Sequence, residues 1–171
     1  GCGHWGKNLV RNFAELGALA AVCDPNDKLA QSYAEQYNVG NLSFAAILAN
    51  PAIEGVVLAV PASLHASMAI EAMNARKHVY VEKPLAMNRI EAEAMIASAK
   101  KNGVQLMVGH LLQYHPIFMA VRGIVESGEL GSLSYVYSNR LSFGKVRSEE
   151  DVIWSFAPHD ISMILSLVGQ E

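Results

Sequence analysis

Gly1-Cys2-Gly3-His4-Trp5-Gly6 opens the chain, and the residues after it decide how the whole is read. The spacing G-x-G-x-x-G is that of a phosphate-binding turn. Its first glycine makes the tight turn, the second lets the backbone approach a pyrophosphate, and the third lets the next helix pack close to its strand. A glycine triplet alone is weak evidence, so the context matters. Residues 7–16 place Leu9, Val10, Phe13 and Leu16 at helical spacing, and Gly17 suits the C-terminal cap. Residues 18–23 are a short continuous apolar run, as in a buried parallel strand. The run ends at Asp24, 18 residues after Gly6, near the ~20 at which a dinucleotide fold places its ribose-binding carboxylate. A carboxylate there repels a 2′-phosphate and favours NAD over NADP. Asp24 also suits an Asp24-Pro25 turn in its own right. Gly1, Gly3, His4, Trp5, Gly6 and Asp24 are the first candidate cofactor-binding residues.

Downstream the pattern alternates. Helices are expected over residues 26–37, 44–49, 61–74 and 88–101, with strands over 55–60, 78–81 and 104–108. Short links between strand and helix imply a doubly wound α/β fold of the Rossmann type, with right-handed crossovers. After about residue 112 the character changes. Residues 115–126 read as a helix, 133–141 alternate as a half-solvated antiparallel strand would, and 161–168 read as a final helix. Two domains are expected: 1–112, binding the nucleotide, and 113–171, the beginning of an α+β domain. The strand that should lead into Gly1 is not in the sequence, and the second domain is expected to continue past its end. The 171 residues alone are therefore expected to be poorly stable and inactive.

The composition is that of an ordinary globular protein, 51% hydrophobic and 17% charged, with net charge −3. That balance leaves no electrostatic footprint for nucleic acid. The densest basic pairs, Arg76-Lys77 and Lys100-Lys101, read as solvated helix ends. No apolar run approaches the ~18–20 residues of a membrane span, and no signal peptide opens the chain. Cys2 and Cys23 make no disulfide framework and suit free thiols in the cytoplasm. Cys2 sits near a helix start, which could lower its pKa; a small space-filling role is preferred. The six histidines show no zinc spacing, so no metal is expected. His78 suits a structural role, and His110 and His115 suit either a structural or a substrate-facing one.

A second group of residues carries the chemistry. Val60-Pro61 and His65 follow a buried strand, which puts Pro61 and His65 at the carboxyl edge of the sheet, where such folds bind ligands. The strand at 78–81 runs into Glu82-Lys83-Pro84. A lysine there is placed for chemistry, although a surface lysine before a turn proline is the usual reading of any single Lys-Pro.

The glycine turn, Ala59-Val60-Pro61 with His65, Lys77-His78-Val79 and Glu82-Lys83-Pro84, in this order, closely resemble the Gfo/Idh/MocA family (glucose–fructose oxidoreductase, inositol dehydrogenase, rhizopine catabolism). Gly109-His110 with His115-Pro116, and Ala157-Pro158-His159-Asp160-Ile161, extend the resemblance over essentially the whole chain. It implies an NAD-dependent sugar dehydrogenase. Lys83 would hydrogen-bond the substrate hydroxyl and His159 would take its proton. Pro61, His65, Glu82 and Lys83 would touch the cofactor, Gln113, Tyr114 and Arg140 the substrate, and Lys83-Pro84 would be cis. Ser138-Asn139-Arg140 and Trp154 look most like members that oxidise UDP-N-acetyl amino sugars, or their uronates, at C3. An inositol or free-sugar dehydrogenase is the alternative, and a non-catalytic NAD-binding regulator is the alternative of another class. Small sugars are the implied partners, with neither membrane nor nucleic acid, and the parent protein would be a homo-oligomer. Two positions depart from the family pattern. Ser155 stands where many members carry an aspartate, and Gln113 stands where relatives often have arginine.

Overall fold

Every strand pairing in the computed structural model, which describes residues 1–139, 141 and 152–169, is parallel. The chain divides into two units, Gly1–Gly109 and His110–Glu171. The first holds helix α1 (Gly6–Glu15), strand β1 (Ala21–Val22), α2 (Asp27–Tyr37), β2 (Gly40–Asn41), α3 (Phe44–Ala49) and β3 (Gly55–Leu58). A 3-10 turn (Ala62–Leu64), α4 (His65–Asn74), β4 (His78–Val81), α5 (Arg89–Asn102) and β5 (Leu106–Val108) complete it. This is the expected α/β order.

Local chemistry explains most boundaries. Asn26, Ser43 and Asn88 each accept a hydrogen bond from the backbone N–H three residues on, at Leu29, Ala46 and Glu91, and so start α2, α3 and α5. Asn38 ends α2 in the left-handed region at φ 52°, and Gly103 ends α5 at φ 67°.

β3, β4 and β5 form one sheet in that order, with Val56 opposite Val79 and Tyr80 opposite Met107. β1 and β2 form a second, two-stranded sheet, with Ala21 opposite Gly40. Val56, Leu58, Val79 and Val81 pack with Met73 of α4 and Met95 of α5 into the main core. These strands are buried by alternation rather than on both faces: Val57 and Tyr80 are only half-buried. The less covered face borders a largely apolar cavity of about 550 Å³, lined by Leu9 and Phe13 of α1, by β1 and by β3. Gly1 lies in its wall.

Lys77 departs from expectation. It is not a solvated helix end but is 5% exposed. Its Nζ donates to Asn50 O at 2.6 Å and Ile53 O at 2.7 Å. Asn50 is the C-cap of α3, so a cation meets the carbonyl end of a helix. Arg76 beside it is exposed, in the left-handed region at φ 62°.

In the second unit a 3-10 turn (Leu111–Tyr114) precedes α6 (Pro116–Glu126), whose first turn is capped by His115 Nδ1 accepting from Ile117 N. α7 (Val152–Val168) packs against α6 and that turn. It starts well before the expected residue 161. Pro158 lies inside it; a proline lacks the N–H of the helical ladder and normally argues for a break. The alternating residues 133–139 and 141 lie in no strand, and Tyr135 and Tyr137 are exposed. Alternation marks a strand only where a partner completes the ladder. Arg140 falls outside the described residues.

Lys77→Met keeps the apolar stem but removes the ammonium from two inward carbonyls; Asn50 O keeps the N–H of Ile53, while Ile53 O loses its side-chain donor. The substitution is expected to cost about 2–3 kcal/mol, read as a lower midpoint in urea unfolding with an unchanged slope.

Candidate functional site

The candidate residues of the first unit gather where its strands end. The glycine turn lies directly on the residue after β3. A methyl on Gly1 would stand 2.6 Å from Ala59 O, and one on Gly6 would overlap the Gly1 carbonyl. Backbone meets backbone here, so no side chain fits. Gly3 differs, since a methyl there meets nothing within 4 Å. Its bare outer face is what an approaching ligand requires.

The turn offers hydrogen-bond donors. α1 has no side-chain cap. Among the described residues the backbone N–H groups of Gly3, His4 and Trp5 meet no protein acceptor. An uncapped helix start with converging N–H groups and the positive end of the helix dipole is an anion site. α4 also starts without a side-chain cap, at the same edge. The turn thus fits a dinucleotide's pyrophosphate.

Asp24 makes the turn that one of its two sequence readings expects, and its carboxylate also braces the glycine turn. Its Oδ1 accepts from Asn26 N at 2.8 Å, the turn interaction, while Oδ2 accepts from Cys2 N at 2.6 Å and ties β1 to the glycine turn. Each oxygen retains a second acceptor position for a ribose hydroxyl. Cys2 is 3% exposed, with Sγ 3.7 Å from Cys23 O. Burial pushes its thiol pKa up. The space-filling role is therefore the one it has.

His65, 1% exposed, joins two loops. Its Nδ1 lies 2.7 Å from Pro84 O and its Nε2 3.0 Å from Val60 O. Both partners are backbone carbonyls, which only accept, so the ring meets the two loops as a donor. Pro61 follows Val60 and opens the 3-10 turn. The Lys83-Pro84 bond is cis, as the resemblance implied. Glu82 is 8% exposed and collects donors: Trp5 Nε1 at 2.7 Å, Tyr80 Oη at 3.2 Å and the Lys83 backbone N–H at 3.3 Å. The side chain of Trp5, and Tyr80 altogether, were missing from the expected site. Nothing local in the sequence signals a bond between residues 77 positions apart.

In the second unit, Gln113 and Tyr114 stand on the 3-10 turn against which α7 packs, and His159 stands on α7. His159 O accepts from Ser162 Oγ, and Asp160 Oδ1 accepts from Ser138 Oγ at 3.0 Å. His110 precedes the same 3-10 turn. His78 is structural, its Nδ1 accepting from Gln105 N at 3.0 Å. No cluster of metal-binding side chains occurs among the described residues, and no helix there is long and apolar enough to cross a membrane.

Residues 1–110 match the family described as an oxidoreductase family with an NAD-binding Rossmann fold (GFO_IDH_MocA). The UDP-N-acetylglucosamine 3-dehydrogenase of Acidithiobacillus ferrooxidans is 32% identical over 100% of this chain and 53% of its own length. Its solved structure superposes with a TM-score of 0.88, covering 99% of this chain and 55% of that one. The WlbA dehydrogenase from Bordetella pertussis, solved with NADH and UDP-GlcNAcA, is 30% identical with a TM-score of 0.70, covering 77% of this chain and 39% of that one. An inositol 2-dehydrogenase of Salmonella typhimurium is 24% identical over 100% of this chain and 54% of its own. The chain spans about half the length of the curated relatives it matches.

Two glycine substitutions should separate packing from binding. Gly6→Ala is expected to destabilise the fold by about 1–3 kcal/mol. Gly3→Ala should leave the melting temperature unchanged while weakening NAD in calorimetric titration. A thiol-reagent titration at neutral pH should label Cys23 first and Cys2 only on unfolding, because burial shields Cys2 and its raised pKa depletes the thiolate.

Proposed function

The chain belongs to the oxidoreductase family with an NAD-binding Rossmann fold, and from that premise we propose that the protein oxidises a secondary hydroxyl of a sugar, at C3 of a UDP-N-acetyl amino sugar or its uronate. The observation that carries the proposal is the common edge. An uncapped phosphate turn and the Glu82-Lys83-Pro84 loop lie at the carboxyl ends of the strands and are joined by the Trp5–Glu82 hydrogen bond. Similarity to the Acidithiobacillus and Bordetella proteins supports the nucleotide-sugar reading.

NAD supplies the acceptor for the hydride, which leaves the carbinol carbon with two electrons. The glycine turn would hold the pyrophosphate, and Asp24 would accept from the adenosine ribose. Pro61, His65 and Glu82 would line the cofactor site. Lys83 donates a hydrogen bond to the reacting oxygen and stabilises the alkoxide as it develops. His159 takes the hydroxyl proton, leaving a carbonyl at that carbon. Gln113, Tyr114 and Arg140 select the substrate. Gln113 binds hydroxyls but offers a carboxylate no charged fork, which favours an uncharged sugar ring at that contact. The inositol reading draws on the Salmonella relative.

The test is NADH formation by the full-length protein with UDP-N-acetylglucosamine, its uronate, free hexoses and inositols. UDP-sugars should turn over fastest. Lys83→Ala should cut kcat by about 100-fold or more while NAD still binds. Unchanged turnover would sink the catalytic assignment.

A further inference from the structure

Trp5 does more than its place in the glycine turn requires. The residue is 44% exposed at the start of α1, yet its indole N–H is committed to Glu82 Oε1 at 2.7 Å. Exposed to solvent, an indole N–H has little to gain from one fixed partner. A buried carboxylate has much to gain, because its lost hydration must be replaced by donors. Glu82 is 8% exposed and receives Trp5 and Tyr80 on one oxygen and the Lys83 backbone N–H on the other. The bond therefore fixes Glu82, and Glu82 fixes the peptide of Lys83.

We infer that Trp5 is a positioning residue: its indole N–H ties the phosphate turn to the Lys83 peptide through Glu82, so that both parts of the dinucleotide site are set as one body. The inference rests on the proposed role of Lys83 at the reacting oxygen. With two donors already on Oε1, a ligand reaches Glu82 through Oε2. Phenylalanine at position 5 keeps an aromatic ring there but has no N–H to donate, and so breaks the tie.

The experiment uses the full-length protein and has two readouts. In the first, the indole N–H resonances are recorded by NMR, with Trp5→Phe assigning that of Trp5. A charge-assisted bond places the Trp5 proton downfield and protects it from exchange, and Glu82→Gln should move it upfield. In the second, Trp5→Phe should lower kcat by about tenfold, with NAD affinity and melting temperature within the range of the parent. A change confined to affinity or melting temperature, an unchanged kcat, or a resonance indifferent to Glu82→Gln overturns the inference. Lys83→Ala is run alongside. If it loses turnover while Trp5→Phe keeps it, the inference fails and the reading of the site stands. If Lys83→Ala keeps turnover, both fail.

Discussion

The first unit depends on a contact between backbones. Gly6 lies on the Gly1 carbonyl, and Gly1 lies on Ala59 O just past β3. One methyl group at either position would lift the turn off the strand. Once the turn is seated, the N–H of Cys2 meets Asp24 on one side and the indole of Trp5 meets Glu82 on the other. Two carboxylates from different strand ends are thus read out by adjacent parts of a single loop. Their positions follow from the seating of the glycines and are not set independently of it.

Buried charges in this unit are stabilised by dipoles. Lys77 is neutralised by the carbonyls of Asn50 and Ile53, and Glu82 by an indole, a phenol and a peptide N–H. The ion pairs Arg11–Glu15, Arg89–Glu93 and Arg122–Glu126 lie on helix surfaces instead. Exposed pairs of that kind contribute about 0–1 kcal/mol, so they decide little. Fixed dipoles cost less reorganisation than mobile ions. A site whose geometry must survive the arrival of a charged ligand gains from that.

Whatever is encoded locally was legible in the sequence. Asn26 and Asn88 announce their helices because a cap and its target lie within one turn, and residues 44–49 became α3 with the limits expected. The cofactor was legible for the same reason, since the turn, its helix and Asp24 fall within one short stretch. Longer-range chemistry was not. Lys77 looked like a solvated charge because its acceptors lie 24 and 27 residues away. Trp5 was placed only in the glycine turn, and its side chain's partner was not seen because Glu82 is still more remote in the chain. The last helix begins before the expected residue 161 and carries Pro158 inside it, where α7 has neighbours to pack against. The alternation at 133–141 records a preference for one exposed face, which a sequence can show without supplying the partner strand.

Asn26, Ser43, Asn88 and His115 each close a helix start from within the chain, and α1 has no such residue. For that helix the dinucleotide phosphate would act as the missing cap. The groups that hold the ligand would then be the groups that finish the fold, and occupancy and stability would become one quantity. At a hundredfold excess over its Kd such a ligand adds about 2.7 kcal/mol, a sizeable fraction of the margin that keeps a domain of this size folded. The thermal lifetime of the protein in a cell would then follow the local concentration of its own cofactor.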